Sequence, residues 1–210
     1  MLDRFKSFWQ NVMLAPFVRL FLRLGISPDA VTLVGTLGVC VGALAFFPRG
    51  HLLAGVLFIT AFVFSDLIDG AMARASGRSS TFGAFFDSTL DRIGDGAIFG
   101  GLVLFYAGPG DSYLYLCLSL YCLVMGSVTS YARAKAESLG MDARGGFAER
   151  ADRTVAILVM TGLSGLLGVP ILMELALWVL ALASTQTVLL RMWKVRRQAA
   201  ESPDVRSDHG

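Results

Sequence analysis

Four aspartates between positions 66 and 91 are the residues of this sequence best suited to chemistry: Asp66, Asp69, Asp87 and Asp91. The first two are three residues apart and the last two are four apart, so each pair would share one face of a helix. Clustered carboxylates repel one another strongly, and a divalent cation removes that repulsion. Because all the donors are oxygens, Mg²⁺, Mn²⁺ or Ca²⁺ would suit them better than zinc or copper.

Small residues and an arginine complete the pattern, which is Asp66-x2-Asp69-Gly70-x2-Ala73-Arg74-x8-Gly83-x3-Asp87-x3-Asp91. The glycines and the alanine leave room for a ligand or a neighbouring helix, and the arginine could pair with a phosphate. A carboxylate at membrane depth costs about 3 kcal/mol. Any one acid could be a solvated helix cap, but the joint spacing favours an enzyme site. Asp95, one turn beyond Asp91, lies outside the pattern.

Substitution at phosphorus is the chemistry that such a cluster favours. Two divalent cations about 3.5–4 Å apart can neutralise a diphosphate and align an attacking oxygen. An alcohol also needs a positioned base to take its proton. Asp91, the last acid of the pattern, is the candidate base, although its position alone does not distinguish a base from a metal ligand.

Membrane helices are the elements that must position these acids, because the sequence is 55% hydrophobic and only 16% charged against about a quarter charged in soluble proteins. Apolar runs of near-spanning length, the third of which is interrupted by the acids, predict an all-α protein with six transmembrane helices: Ala30–Pro48, Leu52–Ser65, Phe82–Tyr106, Tyr113–Ala132, Thr154–Met173 and Leu175–Leu190. The second is long enough only if it continues through Asp66 and Asp69. Two Gly-x3-Gly pairs predict close helix contacts: Gly38 with Gly42, and Gly96 with Gly100.

Charge asymmetry orients the predicted bundle, since lysine and arginine collect on one side of it and that side is expected to be cytoplasmic. Both termini and the four aspartates fall on this side, which predicts a multi-pass protein of the cell membrane. In residues 1–24 apolar side chains recur at helical spacing with basic and polar residues between them, which predicts an interfacial amphipathic helix. The membrane domain is expected to span residues 1–197, and the polar residues 198–210 are expected to be disordered.

The stretch from Asp66 to Asp91 resembles, without a departure, the signature of the CDP-alcohol phosphotransferases (CDP-alcohol phosphatidyltransferases). These are six-span membrane enzymes, usually homodimeric, that transfer a substituted phosphate from a CDP-linked donor to an alcohol and release CMP. The resemblance implies that all four aspartates bind two Mg²⁺ ions, or Mn²⁺ in their place, and that Asp91 is also the base. It implies binding of CDP-diacylglycerol by a larger set: Asp29, Thr32, Asp66, Gly70, Ala73, Arg74, Thr81 and Asp87.

The segment before the first span, Ser27-Pro28-Asp29-Ala30-Val31-Thr32, bears on the donor site. It is similar to a Pro-Asn-x-x-Thr-like segment that frames the nucleotide in this family, with Asp29 where asparagine is frequent. Asp29 could instead cap the first span, and both roles can hold together.

A second basic cluster, at the ends of the later spans, could recognise the other substrate. Arg133, Arg153 and Arg191 are expected at one depth, where they could enclose an anionic acceptor such as a sugar phosphate. Arginines also collect there for topology and for contact with lipid headgroups, so the residues alone leave both interpretations open.

Two segments of this cluster resemble actinobacterial phosphatidylinositol-phosphate synthases: Ser130-Tyr131-x2-Ala134-x-Ala136-Glu137 and Gly146-Phe147-x-Glu149-Arg150-x2-Arg153. The resemblance implies synthesis of phosphatidylinositol phosphate from CDP-diacylglycerol and inositol 1-phosphate, with the three arginines on the acceptor phosphate. Those enzymes more often have Lys then Arg where this chain has Arg133 then Lys135, so Lys135 remains an alternative to Arg133.

Two rival functions remain. Glycerol 3-phosphate would be an equally anionic acceptor and would give phosphatidylglycerol phosphate. A cation channel or transporter could use the acids as an ion path, although Arg74 among them would repel a passing cation. The expected partners are the two substrates, the bilayer and a second copy of the chain, with no nucleic acid.

Overall fold

A computed structural model describes residues 20–21, 23–63, 71–72, 81–146 and 150–201. Six α-helices have both ends within these residues: α1 Pro28–Phe46, α2 Leu52–Val63, α3 Thr81–Ala107, α4 Tyr113–Ser138, α5 Arg150–Leu167 and α6 Ile171–Glu201. A 3₁₀ turn, Phe47–Arg49, joins α1 to the loop before α2. The described residues contain no β-strand, as the predicted all-α class requires.

Ser27 sets the start of α1. Its hydroxyl accepts a hydrogen bond from the Ala30 amide at 3.2 Å, and Pro28 at the first helical position has a backbone angle already suited to the helix. Asp29 lies within the first turn rather than at the cap, so the prediction that it caps this helix is wrong. Its carboxylate instead faces the positive end of the helix dipole.

The first compact unit of the chain extends to Asp111, and α1 packs in it against α2 and α3. A Cβ added at Gly38 would lie 2.2 Å from the Phe62 ring, so the predicted close contact at Gly38 and Gly42 is confirmed. At Gly96 and Gly100 a Cβ meets no described atom within 4 Å, so close helix contact there stays a prediction.

The second unit begins at Ser112 and contains α4, α5 and α6. The fifth span was predicted to run to Met173, but α5 ends at Leu167. Gly168 takes a positive φ of 66°, and Pro170 cannot continue a helix from within because it has no N–H. Met173 belongs to α6, where its amide donates to the Ser164 hydroxyl at 2.9 Å.

The sixth helix continues well beyond Leu190, the predicted end of its span, and reaches Glu201. The prediction of disorder from residue 198 is therefore wrong for residues 198–201. Arg197 and Glu201 form an i,i+4 ion pair at 2.8 Å, and the Gln198 side chain bonds to the loop after α4. These contacts extend the helix past the apolar segment on which the prediction was based.

Three helical segments among the described residues are long and apolar enough to cross a membrane: Pro28–Arg49, Tyr113–Ser138 and Ile171–Glu201. Helix α2 is apolar but has only 12 residues before position 64, and α3 has the length but carries charged side chains. Large apolar side chains such as Leu175 and Leu182 face outward on α6, as lipid contact requires. The predicted interfacial helix of residues 1–24 lies almost wholly outside the described residues.

Candidate active site

Helix α3 carries the second half of the aspartate pattern in the first unit. Asp87 is exposed, Asp91 is partly buried, and Asp95 is buried. The three residues follow one another at i, i+4 and i+8, so they form one stripe along the helix. Exposure thus falls along the stripe from Asp87 to Asp95.

Arg92 is a charged neighbour of these acids that the sequence interpretation missed. Its Nη2 atom lies 3.9 Å from Asp91 Oδ2 and 3.7 Å from Asp95 Oδ2. A cation at this place reduces the repulsion between the two carboxylates. The signal was its position directly after the last acid of the pattern.

The first half of the pattern lies outside the described residues. It comprises Asp66, Asp69, Gly70, Ala73 and Arg74. Ala71 and Met72, between Gly70 and Ala73, are described. Met72 is 0% exposed and packs with Val31 on α1. The chain between the glycine and the alanine of the pattern therefore contacts the first turns of α1.

Those turns of α1 carry the two upstream residues assigned to the donor. Thr32, next to Val31, is buried, and its hydroxyl donates to the Pro28 carbonyl at 3.1 Å. Asp29 is half-buried one turn earlier. Asp29 and Thr32 thus lie in the same first turns of α1 as Val31, which packs against Met72. Thr81 lies exposed at the start of α3.

Metal binding at the acids can be tested on their donor chemistry. Asp87 and Asp91 offer carboxylate oxygens one turn apart, which suits Mg²⁺ or Mn²⁺. Within the described ranges no group of three or more His, Cys, Asp or Glu side chains is arranged to hold a metal. The two acids that would complete such a group, Asp66 and Asp69, belong to the undescribed half of the pattern.

Two buried arginines meet on one face of α4 in the second unit. Arg153, from α5, is 2% exposed, and its Nη2 donates to the Gly126 carbonyl at 3.5 Å. Arg191, from α6, is 4% exposed, and its Nη1 donates to the Thr129 carbonyl. Since these carbonyls are three residues apart, they lie about 4.5 Å apart along the axis of α4, and both guanidinium groups rest against the same turn of that helix.

Gly126 allows the first of these contacts. A Cβ at this position would lie 3.3 Å from Arg153 Nη2 and 3.4 Å from its Nε. Only glycine therefore lets the guanidinium rest against the α4 backbone without a shift. A buried arginine also carries a desolvation cost that carbonyl contacts offset in part, so an anion would be a favourable further partner.

Arg133 and Lys135 lie further along α4 and differ in the face they occupy. At about 100° per residue, position 133 returns to the face of Gly126, whereas position 135 is about 180° from it. Arg133 Nε bonds Glu137 Oε1 at 3.0 Å with its side chain 42% exposed. Lys135 is exposed. The structure therefore brings Arg153 and Arg191 together, leaves Arg133 one turn away on their face, and turns Lys135 from them.

Comparison with known proteins shows which family has a sequence like that around the aspartates and the buried arginines. A family model described as CDP-alcohol phosphatidyltransferase matches residues 25–187. A phosphatidylinositol phosphate synthase of Streptomyces avermitilis is 49% identical over 208 residues, covering 96% of this chain and 85% of that protein. Another, of Cutibacterium acnes, is 46% identical over 209 residues, covering 96% of this chain and all of that protein.

Solved structures of the Mycobacterium tuberculosis phosphatidylinositol phosphate synthase have a similar fold. One with CDP-DAG bound has a TM-score of 0.84 and 39% identity, covering 94% of this chain and 98% of that chain. One in complex with manganese and citrate has a TM-score of 0.85 and 39% identity, covering 94% and 93%.

Proposed function

Because this chain belongs to the CDP-alcohol phosphatidyltransferase family, we propose that it transfers the phosphatidyl group of CDP-diacylglycerol to inositol 1-phosphate. The products are phosphatidylinositol phosphate and CMP. The observation that carries the choice of acceptor is the buried pair Arg153 and Arg191 on one face of α4. Two guanidinium groups held against one turn of the same helix suit a phosphate that is part of the acceptor. The named synthases that resemble this chain support the same choice.

The donor is assigned to the first unit. The contact of Met72 with Val31 supports a donor site that combines the start of α1 with the aspartate pattern. The donor residues proposed are Asp29, Thr32, Asp66, Gly70, Ala73, Arg74, Thr81 and Asp87. The Mycobacterium tuberculosis enzyme with CDP-DAG bound supports a CDP-linked lipid as the donor.

Two Mg²⁺ ions, or Mn²⁺ in their place, are proposed to be held by Asp66, Asp69, Asp87 and Asp91. When bound, such ions neutralise the negative charge of a diphosphate. The oxygen donors on α3 fit hard cations, and the manganese complex of the related enzyme supports a metal at this site.

Asp91 is proposed as the base in addition. An inositol hydroxyl attacks the phosphorus that carries the diacylglycerol, and its proton passes to the Asp91 carboxylate. The phosphoanhydride bond breaks and CMP leaves with the bonding electrons. Partial burial of Asp91 and the Arg92 guanidinium 3.9 Å away support a carboxylate that is held in place for the attacking alcohol.

Arg153 and Arg191 are proposed to bind the acceptor phosphate, with Arg133 as the third cation. The face that Arg133 shares with Gly126 supports it over Lys135. If its side chain moved from Glu137 to the phosphate, an exposed ion pair that contributes little stability would be replaced by a charge-assisted hydrogen bond.

The membrane setting is part of the proposal. Residues 1–197 would form one domain with six spans and an interfacial helix at residues 1–24. Three full-length apolar helices support this topology, and the basic residues near the helix ends support cytoplasmic termini and a cytoplasmic site in the cell membrane. A homodimer is proposed on the family resemblance alone.

An acceptor panel with the purified protein, CDP-diacylglycerol and Mg²⁺ tests this function. Inositol 1-phosphate should release CMP far faster than glycerol 3-phosphate or free inositol. Preference for glycerol 3-phosphate would favour phosphatidylglycerol phosphate synthesis instead. Absence of metal-dependent CMP release with every acceptor would contradict the enzyme and leave the channel or transporter as the alternative.

A further inference from the structure

The loop that follows α4, residues 139–146, is fastened to α6 by three side chains. Arg191 Nε donates to the Gly145 carbonyl at 3.4 Å, and Lys194 Nζ donates to the Arg144 carbonyl at 2.7 Å. Gln198 Nε2 donates to the Asp142 carbonyl at 2.6 Å. We call these three residues and their carbonyl partners the loop clamp.

The loop clamp has a regular geometry. Positions 191, 194 and 198 are related by i, i+3 and i+7, which places them on one face of α6. Their partners fall in the opposite order along the chain, from residue 145 back to residue 142. The loop therefore runs antiparallel to α6, and Ala143 in its middle is fully buried.

Gln198 makes the most specific of these contacts. Its amide donates to the Asp142 carbonyl, and its Oε1 accepts from the Asp142 N–H at 2.9 Å. Both atoms of the side-chain amide thus engage the backbone of one residue, as a neighbouring β-strand would. The Asp142 carboxylate also accepts from the Arg144 amide at 2.9 Å, which holds the turn that follows.

Arg191 depends on where this loop lies. Its contact with Gly145 is long at 3.4 Å, and a hydrogen bond of that length is lost after a small further displacement. Gly145 and Gly146 have φ values of 95° and 130°, so the backbone at the contact has a conformation that other residues rarely adopt. The position of the loop therefore decides whether Arg191 keeps its hydrogen bond to the Gly145 carbonyl.

We propose that Gln198 is a positioning residue for the acceptor. By holding Asp142, it keeps the Gly145 carbonyl against Arg191 and so aims the guanidinium beside that of Arg153. Gln198 itself does not touch the substrates. It lies beyond residues 25–187, the part matched by the general family model, so it would refine recognition of a phosphorylated acceptor rather than serve the chemistry common to the family. The proposal rests on the proposed function of Arg191.

The test is a kinetic comparison of Gln198→Ala with the parent enzyme, which measures KM separately for inositol 1-phosphate and CDP-diacylglycerol. The acceptor KM should rise about three- to tenfold, as expected for the loss of one or two hydrogen bonds. The donor KM and kcat should stay within about twofold, a limit well below the loss of one good hydrogen bond. Glu201→Gln, three residues along the same helix, breaks only the exposed pair with Arg197 and should change neither KM.

A double-variant cycle separates positioning from a general effect on the fold. If Gln198 acts through Arg191, then adding Gln198→Ala to Arg191→Ala should not raise the acceptor KM further. Gln198→Glu keeps the acceptor for the Asp142 N–H but loses the donor, so its acceptor KM should fall between those of the parent and Gln198→Ala. If Gln198→Ala does not fold, Gln198→Glu provides the same measurement.

An unchanged acceptor KM in folded Gln198 variants, or a full additive increase in the Arg191→Ala background, would overturn the positioning role. Failure of the proposed function gives a different result, since the parent enzyme itself would then release no CMP with inositol 1-phosphate. If the parent enzyme is active and Gln198→Ala has a normal acceptor KM, only the positioning role of Gln198 is ruled out.

Discussion

Asp87 and Asp91 differ in their surroundings although one helical turn separates them. Asp87 is exposed, whereas Asp91 is partly buried with the Arg92 guanidinium 3.9 Å away. A base must be held in place before it accepts a proton. Burial and the nearby Arg92 guanidinium restrict the Asp91 side chain, so Asp91 meets this requirement better than Asp87.

Asp91→Asn should lower kcat by at least about a hundredfold, the lower range for loss of a general base. The KM for CDP-diacylglycerol should change little, because three aspartates and Arg74 remain to hold the donor. Steady-state rates of CMP release measure both quantities. Asp111→Asn, in the loop that follows α3, is the control and should behave as the parent does. Turnover near the parent value in Asp91→Asn would remove the base assignment.

At the scale of the helices, apolar runs predict where elements exist better than where they end. The runs near Ala30, Leu52, Phe82 and Tyr113 each correspond to a helix. The end of α5 was missed because Val169 and Ile171 keep the run apolar across a turn. Gly168 and Pro170 indicate a turn at this place in the sequence. The end of α6 was missed because its last residues are held by hydrogen bonds rather than by burial in lipid.

In the candidate site, the sequence predicted which side chains share a helix face but not which backbone groups they contact. Spacing predicted that Asp87 and Asp91 share a face, because i,i+4 geometry follows directly from helix pitch. The partners of Arg191 could not be predicted, since they are carbonyl groups and every residue has one. Gln198 had no signal either, because its contacts depend on how the loop after α4 folds back.

A substitution at Gly146 tests whether the conformation of the loop after α4 affects stability and acceptor binding. Gly146→Ala would place a methyl group 2.4 Å from Thr187 Cγ2 at a φ of 130°. We expect a loss of more than about 2 kcal/mol in stability, from backbone strain together with overpacking, and a raised acceptor KM because Gly145 moves away from Arg191. Thermal unfolding in detergent and acceptor kinetics measure the two effects.

Gly140→Ala is the matched control for this change. Gly140 also has a positive φ, of 73°, but a Cβ there meets nothing within 4 Å. Its substitution should therefore cost only about 1–2 kcal/mol, the strain of the left-handed conformation. Thr187→Ala in the Gly146→Ala background should recover part of the stability. Equal losses in Gly140→Ala and Gly146→Ala would show that packing against Thr187 is unimportant.

For the molecule as a whole, the concentration of acids between residues 66 and 91 predicts dependence on a hard cation. Exhaustive chelation should abolish CMP release, and Mg²⁺ or Mn²⁺ should restore it, because neither the pattern nor the described residues near it provide a nitrogen or sulfur ligand set. Zn²⁺ should restore activity poorly. Full activity after chelation would contradict the proposed role of the aspartates.

The two substrates are assigned to different parts of the chain. Every proposed donor residue, from Asp29 to Asp87, belongs to the first unit, and every proposed acceptor residue, from Arg133 to Arg191, belongs to the second. If this division is correct, substitutions in one unit should affect one substrate and spare the other. The KM for each substrate would then change separately, and steady-state kinetics can measure the two KM values.

Arg153→Ala and Arg191→Ala test this division most directly. Each removes a buried guanidinium that is proposed to bind the acceptor phosphate, so the KM for inositol 1-phosphate should rise about tenfold or more, as expected for hydrogen bonds between charged groups. The KM for CDP-diacylglycerol should stay near the parent value. Arg197→Ala removes an exposed arginine of the same helix and serves as the control, since an exposed ion pair contributes little.

Arg153→Lys and Arg191→Lys extend the test to variants that keep the buried charge. A lysine cannot make the forked contact of a guanidinium, so the acceptor KM should remain raised even where the fold is intact. If the arginine variants lose donor affinity and keep acceptor affinity, the phosphate pocket has been assigned to the wrong substrate. If free inositol reacts with the parent as well as its phosphate does, the buried arginines have no acceptor to bind, and their role would be structural.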